Sequence, residues 1–495
     1  MYAHRRHPCR RWPRANESPT RARNWVLSGS IARSKSNKSH LHVKHIKLLI
    51  AGLGLASAGV QAAEEAFPST YEPLPSQPTL ITNATILTGT GERLENASIL
   101  LDGGTIAWVG SGDAPANAVT IDAEGGYVTP GIIDVHSHLG VYPSPGVSSH
   151  ADGNEMTNPA TPNVWAEHSI WPQDPGFSRA LAAGVTSLQI LPGSGNLIGG
   201  RGVTVKNVYS TSYQGMKFPG APHGMKMACG ENPKRVYGQK GRQPMTRMGN
   251  VASYREEWIS AQAYLESWTE YERKVADGDE DAKAPKRDLK LETLAGALKG
   301  DILVNMHCYR ADEMLTILDL AKEFGYKVTT FHHGVEAYKI ADELAEAGVC
   351  GALWADWWGF KMEAYDGIQE NIALVDRPEG SCAIVHSDSS EGIQRLNQEA
   401  AKAMAHGRRA GLEISEEHAI SWLTSNAANS LGVGERTGTL EAGKMADVVV
   451  WNGTPFSVYA KAEKVFIDGA LLYDRENPAL QPVSDFELGQ LQEVR

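Results

Sequence analysis

Eight short apolar segments alternate with helical patterns over residues 131–388, and this alternation constrains the fold more than any other feature. Residues 311–324, for example, place Met314, Leu315, Leu318 and Phe324 close to one helix face. Eight strands alternating with helices predict an α/β fold, a TIM (β/α)8 barrel. The predicted strands are residues 131–135, 185–191, 202–208, 224–230, 301–307, 327–333, 348–354 and 382–388.

The segments on either side of this barrel have a different pattern. Residues 79–130 contain short alternating runs separated by Gly and Asn or Asp turns, which predicts a small antiparallel β unit. Residues 433–480 return to the same character. We therefore expect one composite β-sandwich formed by both chain ends, with the barrel at 131–432 inserted between its parts. A Pro-rich linker at 63–78 precedes it, and a tail at 481–495 follows it.

The N-terminal segment has the pattern of an exported protein. Residues 1–42 form a basic leader of doubtful status, and residues 43–62 read as a signal peptide. Lys44 and Lys47 precede an apolar run at 48–60, which is too short for a transmembrane helix. Small residues then predict cleavage after position 62 or 63. We expect a periplasmic or secreted protein without stable membrane insertion.

The charge distribution excludes some classes of partner. Of the 47 Lys and Arg residues 12 lie in residues 1–62, with one of the 58 acidic residues, so the remainder has 35 basic and 57 acidic residues and a net charge of −22. Such a body disfavours nucleic acid and anionic membranes. Cysteines at 229, 308, 350 and 382 lie in or beside apolar runs without close spacing. We expect buried small hydrophobes there, and no disulfide framework.

The ends of the predicted strands carry the candidate functional residues. His136 and His138 lie on one face of the first strand because side chains alternate along a strand, and two neutral imidazoles can hold a metal ion. Taken alone, the pair suits polar edge residues equally well. Functional residues of a TIM barrel lie at the C-terminal strand ends. Four histidines and two carboxylates fall there and favour a metal site: His136, His138, Glu231, His307, His333 and Asp388.

These residues lie in segments that together resemble the amidohydrolase superfamily. The segments are VTPGIIDVHSHLG, NMHCYRADE, FHHGVEAYKIADEL, VHSDSS and TGTLEAGKMADVVVWNGTP. The similarity covers about residues 79–475 and is greatest to imidazolonepropionase-like and Xaa-Pro-dipeptidase-like metal-dependent hydrolases. It implies a metal-bearing TIM barrel with a composite β-sandwich. It also implies hydrolysis of an amide or other C–N bond by metal-activated water, in a small amide, cyclic amide or dipeptide substrate.

The same resemblance implies a role for each candidate residue. His136 and His138 would bind one metal, and His307 and His333 would bind a second. Asp388 would contact the first metal and act as the proton shuttle. Imidazole ligands suit zinc, as one or two ions, although manganese, iron and cobalt stay open.

A bridging carboxylate completes the predicted site. Glu231 is the favoured bridge, a carboxylated Lys226 is the alternative, and Lys206 is a weaker candidate. His332 adjoins His333, so strand alternation predicts that it points to the opposite face and is structural.

Arg310 is the residue that bears on the choice between the competing functions. It would bind a substrate carboxylate in bidentate fashion, or form a surface salt bridge with Asp312 or Glu313. Deaminase-like relatives carry an acid at this position, so Arg310 counts against the alternative of a mononuclear deaminase. A non-catalytic structural or interaction protein is disfavoured because every expected ligand is present. The aromatic loop 354–366 suits a substrate wall or loop packing, and a homo-oligomer stays open.

Overall fold

The computed structural model describes residues 66–112 and 117–482. The predicted leader, signal peptide and most of the predicted C-terminal tail lie outside these ranges. Within them, no helix has both the length and the hydropathy that crossing a membrane requires.

The described residues form sixteen strands and ten α-helices. The strands are β1 Thr79–Leu87, β2 Arg93–Asp102, β3 Thr105–Gly110, β4 Val119–Asp122, β5 Tyr127–Pro130, β6 Ile132–Ser137, β7 Val185–Ile190, β8 Ile198–Lys206, β9 Gly224–Ala228, β10 Leu303–Cys308, β11 Val328–His333, β12 Cys350–Leu353, β13 Ala383–Val385, β14 Val448–Trp451, β15 Ala462–Ile467 and β16 Ala470–Asp474. The helices are α1 Pro175–Leu181, α2 Glu231–Gly238, α3 Arg247–Ala276, α4 Leu289–Lys299, α5 Ala311–Phe324, α6 Ala341–Glu346, α7 Asn371–Val375, α8 Leu396–Arg409, α9 Glu416–Ala419 and α10 Ser425–Ser430.

Strands β6 to β13 form one eight-stranded sheet in chain order, which curls into a TIM-barrel-like arrangement. Each of the eight predicted barrel strands overlaps one of them. The first and last strands approach each other, since the Asp388 N–H donates to the His136 carbonyl at 3.0 Å. Helix α5 has the bounds that its amphipathic pattern predicts.

One strand departs from the expected all-parallel barrel. Strand β8 is antiparallel to both β7 and β9, whereas the other neighbouring pairs in this sheet are parallel. No helix lies in the described connections at 191–197 and 207–223. A parallel neighbour needs a crossover of about a dozen or more residues, usually a helix. The loop at 191–197 is too short for one, and the longer loop at 207–223 contains no helix, so both join antiparallel neighbours.

A second sheet combines strands from both ends of the chain. Its order is β16-β15-β14-β5-β1-β2-β3, with β4 paired to β1. The two chain ends meet where β14 pairs antiparallel with β5. The expectation of a purely antiparallel unit is wrong, because β4 and β5 both pair parallel with β1. A facing second layer is not established, so the sandwich stays a prediction.

Two disulfides join neighbouring barrel strands, and the expectation of unpaired cysteines is wrong. Cys229, just after β9, bonds Cys308 at the end of β10, with a Cα separation of 5.3 Å. Cys350, at the start of β12, bonds Cys382, just before β13, with a Cα separation of 4.5 Å. The partners are 79 and 32 residues apart in sequence. Only the register of adjacent strands brings them within bonding distance.

Candidate metal centre

The C-terminal ends of β6, β10, β11 and β13 bring five histidines and one aspartate together. We call His136, His138, His307, His333, His386 and Asp388 the histidine cluster. The His136 and His333 ring centroids lie 4.7 Å apart, as do those of His307 and His333. His136 is fully buried, and His307 and His333 are at most 2% exposed. The barrel therefore buries these three imidazoles, whereas the side chains of His138 and Asp388 stay 18% and 24% exposed.

Two sets of potential ligand atoms within the cluster are compact enough to hold one ion each. His136, His138 and Asp388 form the first set, and His136, His333 and His386 form the second, with the ligand atoms of each set within 4.8 Å of one another. Asp388 Oδ1 lies 3.0 Å from His138 Nε2 and 3.4 Å from His136 Nε2. Leu191 O lies 2.8 Å from His138 Nδ1, so His138 can donate there while Nε2 faces the carboxylate.

Burial keeps four imidazoles of the cluster neutral, those of His136, His307, His333 and His386. Desolvation, followed by the positive charge of Lys226, holds the pKa values of His136 and His307 well below the ordinary value. Burial lowers the pKa of His386 to about 3. Burial alone would raise the pKa of Asp388, but the hydrogen bond and charge of His138 outweigh it, so the pKa is lowered. Neutral imidazole and ionised carboxylate are the forms that bind a metal.

Several nitrogens of the cluster are buried without a partner. Among the described residues, neither ring nitrogen of His333 or His386 has a hydrogen-bond partner, and neither does His307 Nδ1. An unsatisfied buried polar group costs about 1–3 kcal/mol, so the fold retains these atoms at a loss of stability. A cation would give these lone pairs a partner. The donor set, imidazole nitrogens with one carboxylate, therefore fits a divalent metal such as zinc.

Lys226, the alternative bridge of the sequence analysis, lies beside the cluster. Its strand places Met225 and Met227 in the apolar core and Lys226 inside the barrel, fully buried. Lys226 Nζ lies 3.1 Å from His136 Nε2 and donates to Pro192 O at 3.2 Å. Burial lowers its pKa to about 8. A buried amine with so few partners can lose its proton near neutral pH and then react as a base or a nucleophile.

Glu231, the favoured bridge, lies outside both sets of potential ligand atoms found in the described chain. Gly230, with φ +74°, turns the chain out of β9, and Glu231 begins α2. Its carboxylate lies 3.5 Å from Lys361 Nζ, and its N–H donates to the Glu363 carboxylate at 3.0 Å. The turn directs this acid to the rim of the site.

Arg310 also lies outside the cluster. Its side chain is 40% exposed and contacts Asp312 through two hydrogen bonds of 2.9 and 2.8 Å. The salt bridge with Asp312 is one of the two arrangements that the sequence left open. Binding of a substrate carboxylate by Arg310 stays a prediction.

The backbone turns at two cluster residues, and one expectation fails as a result. His333 and Asp388 adopt φ values of +73° and +52°, which are uncommon for residues other than glycine and concentrate at functional sites. The turn at His333 interrupts strand alternation, so His332 does not point away. Its Nδ1 lies 2.9 Å from His136 Nδ1. Sequence reasoning missed this contact and the place of His386, although each residue adjoins a strand end already noted.

Aromatic side chains form one wall of the cluster. Trp354 stacks on His333 with centroids 4.3 Å apart, and Tyr309 lies 4.7 Å from His307. Lys361 Nζ lies 4.2 Å from the centre of the Tyr309 ring. Phe360, 58% exposed, continues this wall toward solvent. The aromatic loop after β12 therefore borders the candidate site.

Comparisons with known proteins identify the family and the fold of the chain. The model of the amidohydrolase family matches residues 127–472. Amidohydrolase tasK of Hapsidospora irregularis is 33% identical over 433 residues, which cover 80% of this chain but only 43% of that protein. Imidazolonepropionase of Thermoplasma volcanium is 23% identical over 77% of this chain and 92% of its own length. The crystal structure of an amidohydrolase from Thermotoga maritima MSB8 has a TM-score of 0.73 and 35% identity, covering 80% of this chain and all of that one.

Proposed function

The chain belongs to the amidohydrolase family, and from this premise we propose that it is an exported, metal-dependent hydrolase of C–N bonds in small molecules. The observation that carries the proposal is the histidine cluster itself. Neutral imidazoles with unpaired buried nitrogens surround one ionised carboxylate at the C-terminal ends of the barrel strands, where TIM-barrel enzymes have their active sites.

The residues of the histidine cluster would divide between two metal positions. His136, His138 and Asp388 would hold one ion, and His333 with His386 or His307 would hold another. When bound, such a metal supplies Lewis-acid chemistry that polarises a carbonyl group and makes water acidic. The buried walls exclude bulk solvent, which strengthens each electrostatic interaction inside.

Asp388 is the group that moves protons in this proposal. Its lowered pKa keeps it ionised and able to accept a proton at Oδ2, while His138 holds Oδ1 at 3.0 Å. The protonated carboxyl then donates that proton to the departing nitrogen as the C–N bond breaks. The left-handed backbone at Asp388 fixes where this carboxylate stands.

We propose that Lys226, after carboxylation, supplies the bridging carboxylate in place of Glu231. Its amine lies 3.1 Å from His136 Nε2, and burial lowers its pKa to about 8. A lowered pKa favours the neutral amine that reacts with carbon dioxide. Glu231, in contrast, is already paired with Lys361.

The relatives and the aromatic wall support the proposed substrate class. One relative is an imidazolonepropionase, which favours a cyclic amide for this chain. Trp354 and Tyr309 offer flat apolar surfaces beside the histidines, which suit a planar ring or an amide plane. Small amides and dipeptides belong to the same proposal.

Export is supported by the signal-peptide pattern of residues 43–62 and by the two disulfides. Disulfides persist in the periplasm and outside the cell, where reducing systems are absent. Mature protein that begins at residue 63 or 64 is the expected result of N-terminal sequencing. Exported protein that begins at Met1 would contradict it.

Metal analysis and substrate hydrolysis together test the proposal. Purified protein should contain one or two equivalents of divalent metal, lose activity with a chelator and recover it with zinc. A panel of cyclic amides, dipeptides and N-acyl amino acids should show hydrolysis, with aminopurines and cytosine as deaminase controls. Ammonia release from the controls alone would favour the deaminase alternative. Stable protein that binds no metal after reconstitution would overturn the proposal.

A further inference from the structure

A chain of three buried side chains extends from the cluster into the barrel interior. His136 Nδ1 lies 2.9 Å from His332 Nδ1, and His332 Nε2 lies 3.0 Å from Asn305 Oδ1. His136 and His332 are fully buried and Asn305 is 1% exposed. We call these three residues the relay. Because these side chains are buried from bulk water, their polar atoms must find hydrogen-bond partners within the protein.

The Asn305 end of the relay determines the positions of the protons. Asn305 Nδ2 donates to the Leu303 carbonyl at 3.4 Å, so Oδ1 is the atom that faces His332. A carbonyl oxygen only accepts, and His332 Nε2 must therefore carry hydrogen. His332 is fully buried, and neither of its hydrogen-bond partners, His136 and Asn305, is a carboxylate that would pair with a charged ring. Its ring therefore carries one hydrogen, and its Nδ1 has a lone pair that accepts the hydrogen of His136 Nδ1.

The Lys226 end of the relay is compatible with the same arrangement. Lys226 Nζ lies 3.1 Å from His136 Nε2. Before carboxylation, a protonated Lys226 amine donates to Nε2, which then carries no hydrogen. The Asn305 end thus places the His136 hydrogen on Nδ1 and leaves the Nε2 lone pair directed into the histidine cluster.

We infer that His332, supported by Asn305, is a positioning residue that fixes the tautomer and ring orientation of His136 for metal binding through Nε2. The inference rests on the proposed function, since it concerns the metal site. A ligating histidine normally donates its other N–H to an acceptor, most often a carboxylate or a carbonyl. Here the acceptor is a neutral imidazole, whose own hydrogen is held by an amide. The relay thus orients His136 without adding a buried charge.

The metal-free protein gives the most direct test. Long-range ¹H–¹⁵N NMR of protein labelled in histidine reports which ring nitrogen carries hydrogen, and His136→Gln and His332→Phe assign the two signals. We expect His136 to be protonated at Nδ1 and His332 at Nε2. A His136 signal protonated at Nε2 would overturn the inference.

Metal affinity provides a second test that does not depend on turnover. Competition with a zinc chelator should show roughly 10–100-fold weaker binding for His332→Phe. Asn305→Leu should weaken binding to a smaller extent, and Asn305→Asp should restore it, because a carboxylate still accepts from His332 Nε2. Wild-type affinity in a folded His332→Phe protein would also overturn the inference.

Gln189→Met is the matched control. Gln189 is fully buried in the same barrel, and neither of its amide atoms has a hydrogen-bond partner among the described residues. This variant should keep wild-type zinc affinity, so a general effect of losing a buried amide is separated from loss of the relay. If Gln189→Met weakened zinc binding as much as Asn305→Leu, the relay would have no specific role.

Failure of the two proposals can be told apart. The NMR result concerns the metal-free chain and stands even if no substrate is hydrolysed. If the predicted tautomers are observed but the wild type binds no metal, the proposed function fails and the relay is a structural feature only. If metal is bound and the tautomers are reversed, the relay alone is wrong.

Discussion

The histidine cluster and the rim of the site, where Glu231 and Arg310 lie, both follow the C-terminal ends of barrel strands. The two regions differ in the exposure of their side chains and in the partners that these side chains have. In the cluster, His333 and His386 are at most 1% exposed, and among the described residues neither ring nitrogen of either side chain has a hydrogen-bond partner. At the rim, Glu231 and Arg310 are 30% and 40% exposed, and each faces an ion-pair partner. The difference shows that a polar residue at a strand end is only a candidate ligand, and that burial and the lack of an ion-pair partner separate the cluster histidines from the acid and the arginine at the rim.

The comparison also separates strong from weak electrostatics. Water screens the charges at the rim, where an exposed ion pair contributes about 0–1 kcal/mol. Burial lowers the pKa of His386 in the cluster to about 3 and that of Lys226, beside the cluster, to about 8. Substitutions in the two regions should therefore differ greatly in effect.

The largest expected effect is that of Asp388→Asn. An amide cannot accept the proton from water, so kcat should fall roughly 10²–10⁴-fold. Asp312→Asn is the matched control, because it removes an exposed carboxylate that pairs with Arg310 outside the cluster. Steady-state kinetics with an amide substrate identified in the panel should show the control within about twofold of wild type. A similar loss in both variants would abolish the distinction between cluster and rim.

Metal content separates Lys226 from Glu231. Lys226→Ala removes a fully buried amine next to His136, and we expect the loss of about one equivalent of metal. Glu231→Gln keeps the shape of a rim residue and should keep the metal. Elemental analysis of both proteins decides the matter. Loss with Glu231→Gln alone would restore glutamate as the bridge, through a movement of α2 on metal binding.

Loss of either disulfide should lower stability, but only one of the two should also affect the metal site. Replacing either pair with alanine should lower the free energy of unfolding by about 2–5 kcal/mol, since each bond closes a long loop. The Cys229–Cys308 pair should also weaken metal binding, because Cys308 follows His307 directly. The Cys350–Cys382 pair, at the opposite ends of its strands, is the control. Urea denaturation measures the free energy of unfolding, and chelator competition measures the metal affinity. Equal metal affinity in both double variants would contradict the predicted link between the Cys229–Cys308 bond and the metal site.

Arg310→Ala has the smallest expected effect. Loss of its exposed salt bridge should change the free energy of unfolding by less than about 1 kcal/mol, and KM should stay within about twofold. Thermal denaturation and kinetics with a carboxylate-bearing substrate provide the measurement. A tenfold rise in KM for that substrate, absent for an uncharged analogue, would show that Arg310 leaves Asp312 to bind the carboxylate.

Much of the fold was predictable because burial leaves a periodic record in sequence. Segments such as 185–191 and 301–307 are apolar because both faces of a barrel strand are covered. The family resemblance that the motifs indicated is confirmed by the match over residues 127–472. The reversal of β8 left no such record, because a buried strand has the same composition in either direction.

The sequence alone determined which residue types stand at the strand ends. His136, His333 and Asp388 follow the apolar runs that predict the strands, so each marks the end of one strand. It could not determine which of them meet. That depends on the register between β10 and β11, on the turns at Gly230 and His333, and on what each side chain finds as a partner. Tertiary structure brought Lys226 and His332 to His136, paired four cysteines and left Glu231 with Lys361, because contacts between residues far apart in sequence are fixed only when the barrel closes.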